Sequence, residues 1–134
     1  MKIVTKVLVA GLLCAGTMAL AGEATDPTVK ARQELMDIFG KNMKVLGEMA
    51  GDKVAYDAAA AEAAKAELVA ASAEIAAKFE PQATDPESEA KAEIWTNWDD
   101  FVAKGNALNA AATGLDASSL DGIKAGMGAL GGAC

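Results

Sequence analysis

The chain has 134 residues, a formal net charge of −7 and no histidine. An acidic chain without a basic block is a poor partner for nucleic acid or an anionic membrane surface. Without histidine it lacks the commonest general base and the commonest transition-metal ligand. It also carries no phosphate loop, no nucleophile beside a base and no zinc spacing.

The first 21 residues, MKIVTKVLVAGLLCAGTMALA, have the build of a secretory signal peptide. Lys2 and Lys6 form the positive region, and the apolar run from Val7 to Leu20 is short for a membrane span. Ala19-Leu20-Ala21 supplies the small-x-small pattern for cleavage after Ala21. Residues 22–134 remain, 113 in all, as one domain large enough to bury a core. Two lysines leave with the signal, so the charge moves from −7 to −9. Cys14 leaves too, and Cys134 is then the single cysteine. An odd cysteine in an exported chain points to intermolecular pairing, a free thiol or a covalent attachment point.

Four amphipathic segments follow. The first opens at Asp26-Pro27, a cap followed by proline at the first helical position. Met36, Phe39, Met43, Leu46 and Ala50 recur at helical spacing, Leu35 and Met49 widen the stripe, and Gly51-Asp52 ends it. The second runs from about Asp57 to Phe79, rich in the best helix former, with Ala64, Leu68, Ala71, Ile75 and Phe79 inward. EPQATDPESE then breaks the pattern.

The third segment is expected to start at Asp85-Pro86, with Ile94, Trp98, Phe101, Gly105, Leu108 and Ala112 inward. The fourth starts at Ser118, with Asp121 three residues on as a weak capping box. Its stripe, Leu120, Ile123, Met127 and Leu130, extends to Cys134, which is expected to face the interior. Such a cysteine serves either as a small hydrophobe or as part of a site. Gly126, Gly128, Gly131 and Gly132 suit either a bulky group lying against the backbone or a frayed end. No stretch alternates with period two. The expected fold is all-α: an antiparallel up-and-down four-helix bundle whose fourth helix is cut short. Asp99-Asp100 is not an acid/base dyad, because adjacent helical residues point in different directions.

SEAKAEIWTNWDDFVAKGNAL and GLDASSLDGIKAGMGALGGAC resemble the third and fourth helices of cytochrome c′, the class II c-type cytochromes. ARQELMDIFGKNMKVL and YDAAAAEAAKAEL resemble the first and second. In that family the fourth helix carries C-x-x-C-H, and Cys134 matches its first cysteine. The expected proximal histidine therefore lies beyond residue 134, the coding sequence is expected to continue as x-x-C-H, and no residue present is assigned as a metal ligand.

The resemblance implies one haem c per chain, held by thioether bonds. The iron would be five-coordinate with an apolar distal side open to NO or CO. It implies a periplasmic electron carrier or gas binder rather than an enzyme, and a homodimer through the first two helices, where Val45, Met49 and Val69 are outer candidates. A redox partner is implied but not identified. By resemblance, Arg32 and Gln33 lie at the haem edge, Arg32 near a propionate. Met36 is the bulky distal residue, and Glu89, with Ser88 as a weaker candidate, lies at the haem edge. Phe79, Trp95 and Phe101 pack near the ring or between helices. The alternative is a haem-free helical bundle that binds a partner or has no function, since one thiol and no histidine leave the iron without a proximal ligand.

Overall fold

The computed structural model describes residues 22–134; the expected signal peptide, residues 1–21, lies outside them. The described elements are α1 (Pro27–Ala50), α2 (Ala58–Phe79), the single-turn α3 (Glu93–Thr96), α4 (Trp98–Gly114) and α5 (Leu120–Ala133). The four long helices close a ring: α1 packs on α2, α2 on α4, α4 on α5 and α5 on α1, with no close backbone approach across either diagonal among the described residues. The fold is a four-helix bundle, and α5 is the shortest of its long members.

Local chemistry sets most of the helix ends. The Asp26 carboxylate accepts from the amides of Thr28 and Val29 at 2.8 and 3.1 Å, and Pro27 occupies the first turn, where no amide is needed. Asp57 caps α2 by accepting from Ala60 N–H at 2.9 Å. Ser119, one residue beyond the expected Ser118, caps α5 by accepting from Gly122 N–H at 3.0 Å. After α1 the chain turns at Asp52, whose φ of 56° lies in the left-handed region that aspartate tolerates better than most residues.

One end of the bundle is packed. Leu46, Leu68, Leu115, Ile123 and Leu130 are essentially sealed from solvent, and Ala61, Ala64 and Ala112 let the backbones approach closely. At this end the Tyr56 hydroxyl donates to Ala117 C=O at 2.8 Å, tying the α1–α2 link to the α4–α5 link. Polar pairs fix the helix register. Buried Asn42 donates to Ile38 C=O at 2.8 Å and to Glu67 Oε2 at 2.7 Å on α2. Asn109 on α4 donates to Val69 C=O at 3.0 Å and Ser72 Oγ at 2.9 Å.

Two expectations need correction. The inward face of α1 is Val29, Arg32, Leu35, Phe39, Asn42, Leu46 and Met49; the expected Leu35, Phe39, Leu46 and Met49 lie on it, while Met43 and Ala50 pack half-buried at its margin. Two polar residues with hydrogen-bond partners on other elements, Arg32 and Asn42, sit on that face, which hydropathy alone assigns outward. Met36 is left 43 % exposed and Met49 is buried, so Met49 is not an outer position. The third helix does not start at Asp85-Pro86; residues 80–92 form an irregular loop before α3. Asp85 is instead engaged elsewhere. Its Oδ2 accepts from Thr25 N–H, Thr25 Oγ1 and Asp26 N–H at 2.9, 3.0 and 2.9 Å, and its Oδ1 accepts from Glu87 N–H at 2.9 Å. These bonds pin the loop to the segment before α1. They hold the Asp85 carboxyl well below its ordinary range, at about 2.

Three outcomes follow from this architecture. Leu68→Ala is expected to lower unfolding free energy by about 2–5 kcal/mol in denaturant titration, as for other fully buried leucines. Gly128→Ala is expected to stabilise by up to ~1 kcal/mol, because nothing lies within 4 Å of the added methyl, whereas Gly122→Ala destabilises because its Cβ would meet Asp116 C=O at 2.4 Å. The stabilisation from Asp85 is complete above the unfolded-state pKa near ~3.9 and is lost as pH falls towards about 2. The melting temperature of the native chain should therefore drop between roughly pH 4 and pH 2, and Asp85→Asn should melt lower at pH 6 and lose less across that window.

Candidate functional site

At the other end the helices do not close. A cavity of about 930 Å³ opens between the first half of α1, the last turns of α2, the 87–91 loop, α3, the first half of α4 and the end of α5. Its depth is apolar, with Val29, Phe39, Ile75, Phe79, Phe101 and Leu108 in the wall. Its volume lies within the roughly 300–1,000 Å³ range of small-molecule and cofactor sites. Phe79 and Phe101 meet at 5.3 Å between ring centroids, and Trp98 stacks behind Phe101 at 5.5 Å.

All six residues singled out in the sequence, Arg32, Gln33, Met36, Ser88, Glu89 and Cys134, line this one cavity. α1 brings three of them, because Arg32, Gln33 and Met36 lie within about one turn of one another. Ser88 and Glu89 come from the loop rather than from a helix start, so the helix macrodipole does not act on Glu89. Cys134 lines the cavity but is exposed, which corrects the expectation of an inward thiol: it sits at the edge of the opening, where no helix covers it.

Arg32 is the most constrained of the six. It is only 3 % exposed. Its Nε donates to Lys78 C=O at 3.1 Å and its Nη2 to Pro81 C=O, so it caps the carbonyls at the end of α2. The guanidinium lies between two aromatic faces, with Cζ 5.2 Å from the Phe79 centroid and 5.1 Å from that of Trp95. Burial pushes its pKa down from the ordinary value, opposed by the charge of Asp26. Nη1 is sealed from solvent and has no hydrogen-bond partner, so it is not among the atoms that Arg32 shows to the open cavity. Trp95 holds the sandwich in place by donating from Nε1 to Phe79 C=O at 2.7 Å; it does not line the main cavity.

Gln33 acts as a clamp. Its Oε1 accepts from Ala24 N–H at 3.1 Å, and its Nε2 donates to Gly22 C=O at 3.2 Å and Glu87 C=O at 3.4 Å. The residues before α1 thus become part of the wall. Met36 has no polar partner, and its thioether side chain lies partly open beside the apolar pocket.

The sequence reading missed Gly22, Glu23 and Glu87 in the wall, because their placement depends on the long-range Asp85 and Gln33 bonds. It had placed Gly105 and Ile94 on an inward stripe, and they are inward but only half-buried because they face the cavity. Gly128, Gly131 and Gly132 of α5 do not line the cavity and have nothing within 4 Å of a built Cβ, so no bulky neighbour explains them in this structure.

The comparisons with known proteins agree with this architecture. The family model described as Cytochrome C′ matches residues 27–134. Cytochrome c-556 of Agrobacterium fabrum is 32 % identical over 120 residues, spanning 90 % of this chain and 75 % of that protein. Cytochrome c′ of Cereibacter sphaeroides is 32 % identical over an alignment of 141 positions, spanning 96 % and 91 %. The solved structure of cytochrome c′ from Rhodobacter spheriodes superposes with a TM-score of 0.70 at 30 % identity, covering 80 % of this chain and 88 % of that one. With most of both chains matched in sequence and in fold, this chain belongs to the cytochrome c′ family.

Proposed function

We propose that this chain is built to hold a haem c at the open end of the bundle and serves as a periplasmic one-electron carrier or a binder of NO or CO, turning over no organic substrate. One observation carries the reading: an apolar cavity of cofactor size gathers Arg32 and Met36 from α1, Ser88 and Glu89 from the 87–91 loop and the Cys134 thiol from the end of α5. The residues present suit a porphyrin. Phe39, Phe79 and Phe101 make part of the apolar wall aromatic, a surface that packs well against a flat ring. Arg32 brings a guanidinium, the group that pairs with a propionate, and its buried Nη1 has no other partner. Cys134, in the cavity lining, is the thiol that would form a thioether bond to a vinyl group.

Bound haem supplies the one-electron couple and an iron site for a diatomic gas; the polypeptide sets access and polarity. Met36 stands as a steric guard on the distal side, Gln33 holds the wall that borders one edge, and Ser88 and Glu89 give that edge polar contacts. The 134 residues contain no histidine, so none of them is offered as the proximal ligand. This favours a second reading for the polypeptide by itself: a haem-free helical bundle.

Export through cleavage after Ala21 belongs to the same proposal. So does a homodimer through α1 and α2, for which the half-buried Val45 and Val69 and the exposed Ile38 are available on those helices. No described helix is long and apolar enough to cross a membrane.

Expression with a c-type maturation system tests the reading. The 134-residue chain is expected to carry no stable covalent haem, whereas the same chain continued after Cys134 as x-x-Cys-His should give the c-type α band in a pyridine haemochrome spectrum. An extended chain that folds but takes up no haem would leave the haem-free reading. In the haem-loaded extended protein, Met36→Ala should raise the CO association rate severalfold in flash photolysis. An unchanged rate would remove Met36 from the distal role.

A further inference from the structure

The segment Gly22–Asp26 is not a loose lead-in to α1. Each of its residues is tied down: Thr25 and Asp26 to the Asp85 carboxylate, Ala24 to Gln33, Glu23 to Lys30, and Gly22 to Glu87. Gly22 and Glu23 stand in the cavity wall beside Glu87. The bond at the start of this strap is the shortest of the backbone ones, Gly22 N–H to Glu87 Oε2 at 2.6 Å. A Cβ built at position 22 lies 2.8 Å from both Glu87 Cδ and Oε2, so a side chain there would push the Glu87 carboxylate off the amide. The backbone nitrogen of residue 22 is therefore held against a carboxylate by a hydrogen bond, and the lack of a Cβ leaves that carboxylate room to approach.

The nitrogen concerned is the one that cleavage after Ala21 would expose. Peptide hydrolysis there consumes one water, leaves a carboxylate on Ala21 and turns the Gly22 amide into a primary amine that takes up a proton. A neutral amide donor thereby becomes a cationic one against the same oxygen, so a bond already assisted by the carboxylate charge gains the attraction of opposite charges. We propose that the α-ammonium group of Gly22, created by signal removal, clamps onto the Glu87 carboxylate and makes the mature N-terminus a fixed part of the cavity wall. This rests on the export reading above. Of the other charged groups near the strap, Glu23 is engaged with Lys30 of α1 and Asp85 with Thr25, Asp26 and Glu87 N–H, while Glu34 and Asp37 of α1 and Glu89 and Lys91 of the loop line the same cavity. Glu87 is the one whose oxygen already meets the residue 22 nitrogen.

The clamp makes the position of cleavage matter. A product one residue longer would leave the Gly22 nitrogen a neutral amide and move the charge off the bond to Glu87. A product one residue shorter would lose the bond and a piece of the wall.

Exported full-length chain tests the proposal. Intact mass should show a polypeptide beginning at Gly22, and competitive acylation across pH should show its amine titrating above the ~7.7–8.0 of an ordinary α-amino group. In Glu87→Gln, which keeps an acceptor but removes the charge, the titration should return to that range, with severalfold faster labelling at pH 7. Should that variant not fold, ~1 M salt on the unaltered protein should move the titration the same way, because it screens an exposed pair. A polypeptide that keeps residues 1–21 overturns the export reading and the clamp together, and one cleaved at another position overturns the clamp. One beginning at Gly22 whose amine titrates normally overturns the clamp and leaves the export reading standing.

Discussion

The open end of this bundle depends on the buried carboxylate of Asp85. It accepts four hydrogen bonds, three from Thr25 and Asp26 and one from Glu87, and so joins the approach to α1 to the loop between α2 and α3. Without that join, the residues bordering the cavity on this side would belong to two unconnected irregular segments, each obliged to meet the full entropy of its own ordering. With it, Gln33 can reach both segments at once, and Gly22, Glu23, Glu87, Ser88 and Glu89 form one wall. The group is stable in this role because every donor it meets favours the ionised form.

The bundle divides its apolar residues between two tasks. At the closed end, leucine, isoleucine and alanine side chains from all four long helices fill the interior, and burial of that surface drives folding. At the open end, Ile94, Phe101 and Met36 remain partly exposed because they face a cavity and not another helix. Apolar surface left open in this way is unfavourable unless a ligand covers it, which is the usual mark of a binding site. Arg32 spans the boundary between the two regions. It closes the end of α2 through two carbonyls, packs between Phe79 and Trp95, and keeps one donor in reserve.

The family likeness and the cavity support each other because they rest on different observations. The similarity to cytochrome c′ proteins extends over most of the chain and includes helices far from the open end. The cavity, by contrast, follows from where the helices fail to meet. An ordinary bundle of this size has no reason to keep a space of 930 Å³ lined with aromatic rings.

The sequence by itself determined the helices and most of their ends. Periodicity of apolar residues, Asp26 and Asp57 as caps, Pro27 in the first turn and the breaks after Ala50 and Phe79 are local signals, and the structure keeps them. Its resemblance to the family also pointed to Arg32, Gln33, Met36, Ser88, Glu89 and Cys134, which the fold brings to one cavity. What only the tertiary structure decided was the inward placing of Arg32 and Asn42 on α1, the late start of the third helix and the outward edge on which Cys134 sits. Each of these turns on a polar group finding a distant partner, or on a face finding none. Asn42 is inward because Glu67 is there to accept from it, and Asp85 starts no helix because Thr25 and Asp26 claim its oxygens. Hydropathy and capping rules describe a residue by its neighbours in the chain, and these residues are governed by groups some 25 to 60 positions away.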